Sequence, residues 1–145
     1  MAATIAALLT TTACAQADGG ATPATATDAA TLPSQVVLTT SGGIAGRQDT
    51  VTVRTDGHWT RVDRSGAART GQLTAADLDR LRQLATDPRL AAEATATAAA
   101  TMCADAFTYR LTVGRTTTGY VDCPPQATPP AATGAVVDLL NRATG

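Results

Sequence analysis

Lysine is absent from this chain, and all eleven cationic side chains are arginines. A Gly-rich phosphate loop needs a Lys followed by Ser or Thr, so Gly42-Gly43-x-x-Gly46 has no P-loop ending, and it leads into an alternating segment instead of a helix. Histidine occurs once, at His58, beside the Asp56-Gly57 turn, where a strand histidine faces solvent. One His and two well-separated Cys do not supply the spacing of a zinc site. A set drawn from Ser41, His58 and Asp63 lacks a nucleophile elbow or any other local signature of hydrolytic catalysis. No carboxylate pair stands outside the helical segment. Aromatics make up only 3% of the residues, so the core must be built from Leu, Val and Ala. Charge of one sign is also missing. The formal net charge is -1, which gives no basic footprint for nucleic acid or an anionic membrane. The missing site signatures argue against an enzyme.

No apolar run is long enough to span a bilayer as a helix. The first segment, "MAATIAALLTTTACAQ", has a short apolar stretch, Ala2 to Leu9, and then small residues up to Cys14. It matches the apolar core and cleavage region of a secretory signal, without the basic n-region. A start upstream, or at another codon, would supply the missing piece. "TTAC" resembles a bacterial lipobox, in which Cys14 is lipidated and becomes the new N-terminus, although Thr11 stands where an aliphatic residue is usual. Ala13-Cys14-Ala15 also fits ordinary cleavage before Gln16. Either route places the protein outside the cell or in the cell envelope, and the lipobox would anchor it to the outer face of the membrane. Residues 1–15 are assigned to this signal and 16–34 to a disordered Ala/Thr/Pro linker. The linker carries too little apolar surface to offset its ordering entropy, and its composition suits a tether.

Residues 35–145 then form a single domain of common size. "QVVLTT" reads as a strand. "DTVTVRT" alternates Val51 and Val53 with threonines, the mark of a half-buried strand. Asp56-Gly57 is a hairpin signal, and "HWTRVDR" returns with Trp59 and Arg61 on one face. Ser65-Gly66 is a second turn. In "LTAADLDRLRQLATDP", Thr74 is the N-cap, Asp77 completes an acidic capping box and Leu73 and Leu78 make the staple. Leu78, Leu81 and Leu84 form the stripe, and Pro88 closes the helix. "RLAAEATATAAATMC" is ambiguous: its alanines favour helix, while its threonines and lack of a stripe favour a loose segment. Phe107, Tyr109, Leu111 and Val113 share one face of a strand. Gly114-Arg115 turns it back through "TTTGYVDC". A proline-rich crossing leads to a closing helix that carries Val136, Val137, Leu139 and Leu140. The expected fold is α+β, with an antiparallel sheet of four to five strands packed on two helices.

A hairpin turning at Gly114-Arg115 brings Cys103 and Cys123 almost opposite each other at its open end. In an exported protein this pair reads as a disulfide, worth about 3 kcal/mol for a loop of that size.

The stretch "TTSGGIAGRQ" sets three glycines and a serine around one large apolar residue, Ile44. The glycines serve turn geometry. Ile44 either folds back onto the core or points outward. Taken together, "SGGIAG" before an alternating strand, then "LTAADLDRLRQL", then the Asp105, Phe107, Tyr109, Leu111 pattern of "DAFTYRLTV" and a short last helix, resemble the emfourin family from about Val36 to Leu140. Emfourin-like proteins are small inhibitors of thermolysin-type (M4) zinc metalloproteases. The chain differs from the cytoplasmic family type in its export signal, its tether and its Cys pair, and in Ile44 where Phe is common.

The resemblance implies a monomeric inhibitor, secreted or membrane-tethered, whose partner is an M4-type metalloprotease. It would use no cofactor, would not bind nucleic acid, and would meet the membrane only through a lipid at Cys14. Ser41, Gly42, Gly43, Ile44, Ala45 and Gly46 would form its inhibitory loop, with Ile44 filling an apolar specificity pocket. The same fold in a cell-envelope lipoprotein that binds another protein or ligand without inhibiting it is the alternative.

Overall fold

A computed structural model of the protein describes residues 31–96, 103–125 and 127–145. Cys14, the signal region and most of the linker lie outside them. The element order is β1 (Val36–Gly42), β2 (Arg47–Val53), β3 (His58–Val62), β4 (Ala68–Gln72), α1 (Ala75–Ala85), α2 (Pro88–Thr95), β5 (Phe107–Val113), β6 (Thr116–Asp122) and α3 (Ala131–Thr144). The strands form one six-stranded sheet in the order β4-β3-β2-β1-β5-β6, with every neighbouring pair antiparallel. The fold is α+β, with one more strand and one more helix than the sequence indicates.

Alternation explains the layering. Val36, Leu38, Val51, Val53 and Leu111 point to the helical face and are buried. There they meet Leu78, Leu81 and Leu84 of α1, Leu90 of α2 and Val136, Val137, Leu139 and Leu140 of α3. Each such side chain contributes roughly 1.5–3 kcal/mol by leaving water. The opposite face is threonine-rich. One cross-strand rank runs Thr70, Thr60, Thr52, Val37, Thr112, Thr117, and the hydroxyls of Thr112 and Thr117 lie 3.1 Å apart. Branched, partly polar side chains suit a pleated surface that meets water on one side.

The extra strand, β4, shows no apolar alternation because it is an edge strand: Gly71 is half-buried and its other residues are exposed. Gly71 makes room for the Trp59 ring, from which a Cβ at that position would stand 2.5 Å away. The extra helix, α2, resolves the ambiguous Ala/Thr segment as far as Thr95. Asp87 is its N-cap, accepting from the Arg89 amide, and Pro88 sits in its first turn, a position that tolerates the missing N–H. Pro88 therefore opens a second helix as well as following the first. The linker boundary also moves. Leu32, placed in the linker by composition, is 3% exposed in the core, and its amide donates to Thr55 O at 2.8 Å.

The start of α1 and the β2–β3 turn stand where their capping and turn residues put them. The Thr74 hydroxyl accepts from the Asp77 amide at 3.1 Å, and Leu73 and Leu78 are both buried. Gly57, with φ of 83°, closes the β2–β3 turn. Cys103 and Cys123 are bonded, with Cα atoms 5.9 Å apart, one residue beyond β6 and just ahead of β5.

Candidate functional site

The β1–β2 hairpin projects the Gly-rich stretch from one end of the sheet. Ser41 and Gly42 belong to the β1 ladder, opposite Gln48 and Arg47 of β2. The loop proper is Gly43 to Gly46, closed by a bond from the Gly46 amide to Gly43 O at 2.9 Å. That distance and span make it a β-turn with Ile44 and Ala45 at its centre. Gly42 has a φ of 101°, and a Cβ there would lie 2.2 Å from Ala106 O, so only glycine fits. Gly43 lies over Phe107, whose ring a Cβ would meet at 2.7 Å, and its amide donates to Ala106 O at 3.3 Å.

Ile44 is 92% exposed. It does not fold back onto the core. Ala45 and Gly46 beside it are exposed as well. Among the described residues Ile44 and Val62 are the exposed large hydrophobics. A shallow depression of about 400 Å³ runs between this turn and the β3–β4 turn, lined by residues 42–49, Asp63, Arg64, Ser65 and Phe107.

The neighbouring turn braces the loop. Arg64 Nη1 donates to Ala45 O at 3.1 Å and to Gly46 O at 3.2 Å. The turn that carries Arg64 is held by the Asp63 carboxylate, which accepts from the Ser65 amide at 2.8 Å, the Ser65 hydroxyl at 2.6 Å and the Ala67 amide at 3.1 Å. The Ser65 hydroxyl is the first cause that holds the Asp63 carboxyl below its usual pKa. With its carboxylate committed to its own turn, Asp63 does not join Ser41 and His58, and that set does not form. His58 instead lies 3.5 Å from the Asp56 carboxylate, in the open.

The base of the hairpin is tied to α3. Asp49 accepts from Arg47 at 2.7 Å and from Arg61 at 2.8 Å. Burial pushes its carboxyl up, but the two guanidiniums outweigh that and hold it below the usual range. Arg61 is buried and also donates to Thr144 O at 3.3 Å, where a cation suits the carbonyl end of the helix. Among the described residues no cluster of three His, Cys, Asp or Glu is placed to hold a metal ion.

Arg64 and Phe107 are the site residues that local sequence reading misses. Arg64 is 18 and 19 residues from its partners, and Phe107 is recognisable only as a core-facing strand residue. The one usable signal is the position of Arg64 in the β3–β4 turn, at the same end of the sheet as the glycines.

The emfourin family model matches residues 57–143, which is more than half of the chain and runs from the β2–β3 turn to the end of α3. The chain belongs to the emfourin family. That family is associated with protease inhibition; it is an inhibitor family and not an enzyme family. No curated protein matches the chain significantly. The emfourin match begins at Gly57, so β1, β2 and the Gly43–Gly46 turn lie ahead of it.

Proposed function

We propose that this emfourin-family protein is a stoichiometric inhibitor of a thermolysin-type (M4) metalloprotease, exported and tethered to the outer face of the membrane through a lipid on Cys14. The observation that carries the reading is Ile44, a large apolar side chain 92% exposed on a turn braced from both flanks. Leaving such a side chain in water has no folding benefit, while seating it in a partner's apolar pocket removes that surface from water. Thermolysin-type enzymes favour bulky aliphatic or aromatic residues in their specificity pocket, as the resemblance implies, and Ile44 suits such a pocket. The tether, which starts at residue 16 by composition and ends ahead of the buried Leu32, would let an anchored inhibitor reach enzymes near the membrane surface.

Titration of a thermolysin-type protease with the purified domain tests the inhibitory role. Activity should fall linearly to near zero at about one equivalent when enzyme concentration exceeds Kd. Full activity at a large excess of the domain, across several M4 enzymes, refutes it and favours the non-inhibitory envelope lipoprotein. Palmitate labelling in a bacterial host, with the native upstream start, tests the anchor. Cys14→Ser should abolish label; an unlabelled mature chain beginning at Gln16 would mean ordinary secretion.

A further inference from the structure

We propose that Arg64 is a positioning residue that locks the Gly43–Gly46 turn in a form that a protease can grip but cannot cleave. The proposal rests on the reading that this turn meets a protease. Protease clefts cleave backbone bound in extended form, with the scissile carbonyl aligned for attack. The Gly43–Ile44 bond is not so presented. It sits inside a β-turn closed by the Gly46 amide on Gly43 O at 2.9 Å, with Ile44 at the apex as a plug.

Three attachments oppose opening. Arg64 Nη1 holds the carbonyls of Ala45 and Gly46. The Gly43 amide holds Ala106 O. The Phe107 ring lies under Gly43, close enough that a Cβ there would meet it at 2.7 Å. Extending the turn for hydrolysis would break the closing bond and pull both carbonyls off the guanidinium. The Arg64 side chain makes no bond within its own turn, which the Asp63 carboxylate holds with Ser65 and Ala67. Among the described residues no carboxylate pairs with it, so its hydrogen bonds are spent on the loop. Removing it should free the loop and leave the β3–β4 turn intact. Hydrolysis, if it occurred, would add water across the Gly43–Ile44 bond and leave a Gly43 carboxylate and an Ile44 ammonium.

The test compares the mature exported protein with Arg64→Ala and Arg64→Lys. Each is incubated with a thermolysin-class protease, and intact mass and new N-termini are followed. Wild type should remain uncut at Gly43–Ile44. Arg64→Ala should be cut there at least tenfold faster, with an unchanged melting temperature. Arg64→Lys should fall between, since an ammonium still reaches a carbonyl but hangs on a flexible stem without the planar guanidinium that orients Nη1. If neither protein is cut, exchange of the Gly46 amide decides. A tenfold acceleration in Arg64→Ala supports the lock, and unchanged exchange overturns it. Equal cutting of wild type and Arg64→Ala also overturns it. The two readings fail separately. A wild type that inhibits nothing yet resists cutting, while Arg64→Ala is clipped, keeps the lock and discards the inhibitor. A wild type that inhibits, with Arg64→Ala equally inhibitory, uncut and unchanged in exchange, does the reverse.

Discussion

Glu93 in α2 holds Thr133 in the first turn of α3: its carboxylate accepts from the Thr133 amide at 2.8 Å and from the Thr133 hydroxyl at 2.6 Å. The Ala132 amide donates to the same carboxylate at 2.8 Å. The residue at the N-cap of α3 is Pro130, which makes no side-chain cap bond, so a residue 40 positions away does a capping residue's work. A carboxylate there also suits the positive end of the helix. The Thr133 hydroxyl has one proton and gives it to Glu93, so its 2.8 Å contact with Thr118 is a bond it accepts. The chain from α2 through α3 to β6 thus joins both helices to the edge of the sheet.

Glu93→Ala should therefore lower stability by about 2 kcal/mol, because two backbone donors in a half-buried position lose their acceptor. Urea unfolding at neutral pH measures this. The pH dependence has a definite sign. Burial pushes the Glu93 carboxyl up, but the Thr133 hydroxyl and the two amides outweigh it, so the pKa lies below the ordinary 4.5. A carboxyl depressed on folding contributes stability that is fully present above the unfolded pKa and is lost as pH falls through the folded one. Wild type minus Glu93→Gln should be flat above about pH 5 and shrink in acid below it. A difference that grows in acid would show that the carboxylate is not the form that caps α3.

Arg47 and Arg61 share Asp49, yet they should behave differently. The Arg61 side chain is 8% exposed and that of Arg47 is 42% exposed. Removing the buried partner strands part of a carboxylate and a helix-end carbonyl, for an expected cost of about 2–3 kcal/mol. Removing the exposed one should cost under about 1 kcal/mol. Chemical denaturation of Arg61→Ala and Arg47→Ala gives both values, and equal losses would contradict this account.

Much of this architecture is legible in local chemistry. The Thr74–Asp77 box, the Leu stripe of α1, the Asp56-Gly57 turn and the alternation of β5 all depend on neighbours a few residues away, and all stand where the sequence puts them. What escapes depends on distance. β4 buries no side chain: Arg69, on the same face as Gly71, is exposed, and the half-buried position is a glycine against Trp59, so apolar periodicity has nothing to register. α2 buries one hydrophobic residue, Leu90, and its polar contribution, Glu93, finds its partner in α3. Leu32 stands in a segment whose composition says linker, and its partner Thr55 lies 23 positions on, in the β2–β3 turn. At the candidate site the glycines and Ile44 are plain in the sequence, while Arg64 emerges only when two turns come together at one end of the sheet.

The Cys103–Cys123 bond closes a loop spanning 20 residues and fastens the approach to Ala106 and Phe107, on which Gly42 and Gly43 rest. Replacing both cysteines by serine should lower stability by about 3 kcal/mol, mostly by freeing the unfolded chain. Cys123 is 1% exposed, so a serine there also buries a hydroxyl, and Cys→Ala at this position separates the two effects. Thiol titration of the exported protein should find this pair oxidised. Two free thiols at these positions would remove the basis for the prediction.

Ile44 separates folding from binding. Its side chain is 92% exposed, and the turn around it is set by glycines and by Arg64 contacts to backbone carbonyls. Ile44→Asp should therefore leave the melting temperature within about 1–2 °C of wild type, since a surface substitution away from caps and cores changes stability by roughly 0.5 kcal/mol or less. The effect on inhibition should be large. A carboxylate forced into an apolar pocket gives up its hydration without a partner, so Ki should rise by at least a hundredfold, about 2.7 kcal/mol in binding. Ile44→Phe should keep inhibition, because the pocket proposed for this residue accepts either shape. Melting curves and protease titrations on the three proteins check the set. Full inhibition by Ile44→Asp would remove Ile44 as the anchor, and a fall of many degrees in its melting temperature would mean that the side chain stabilises the fold despite its exposure.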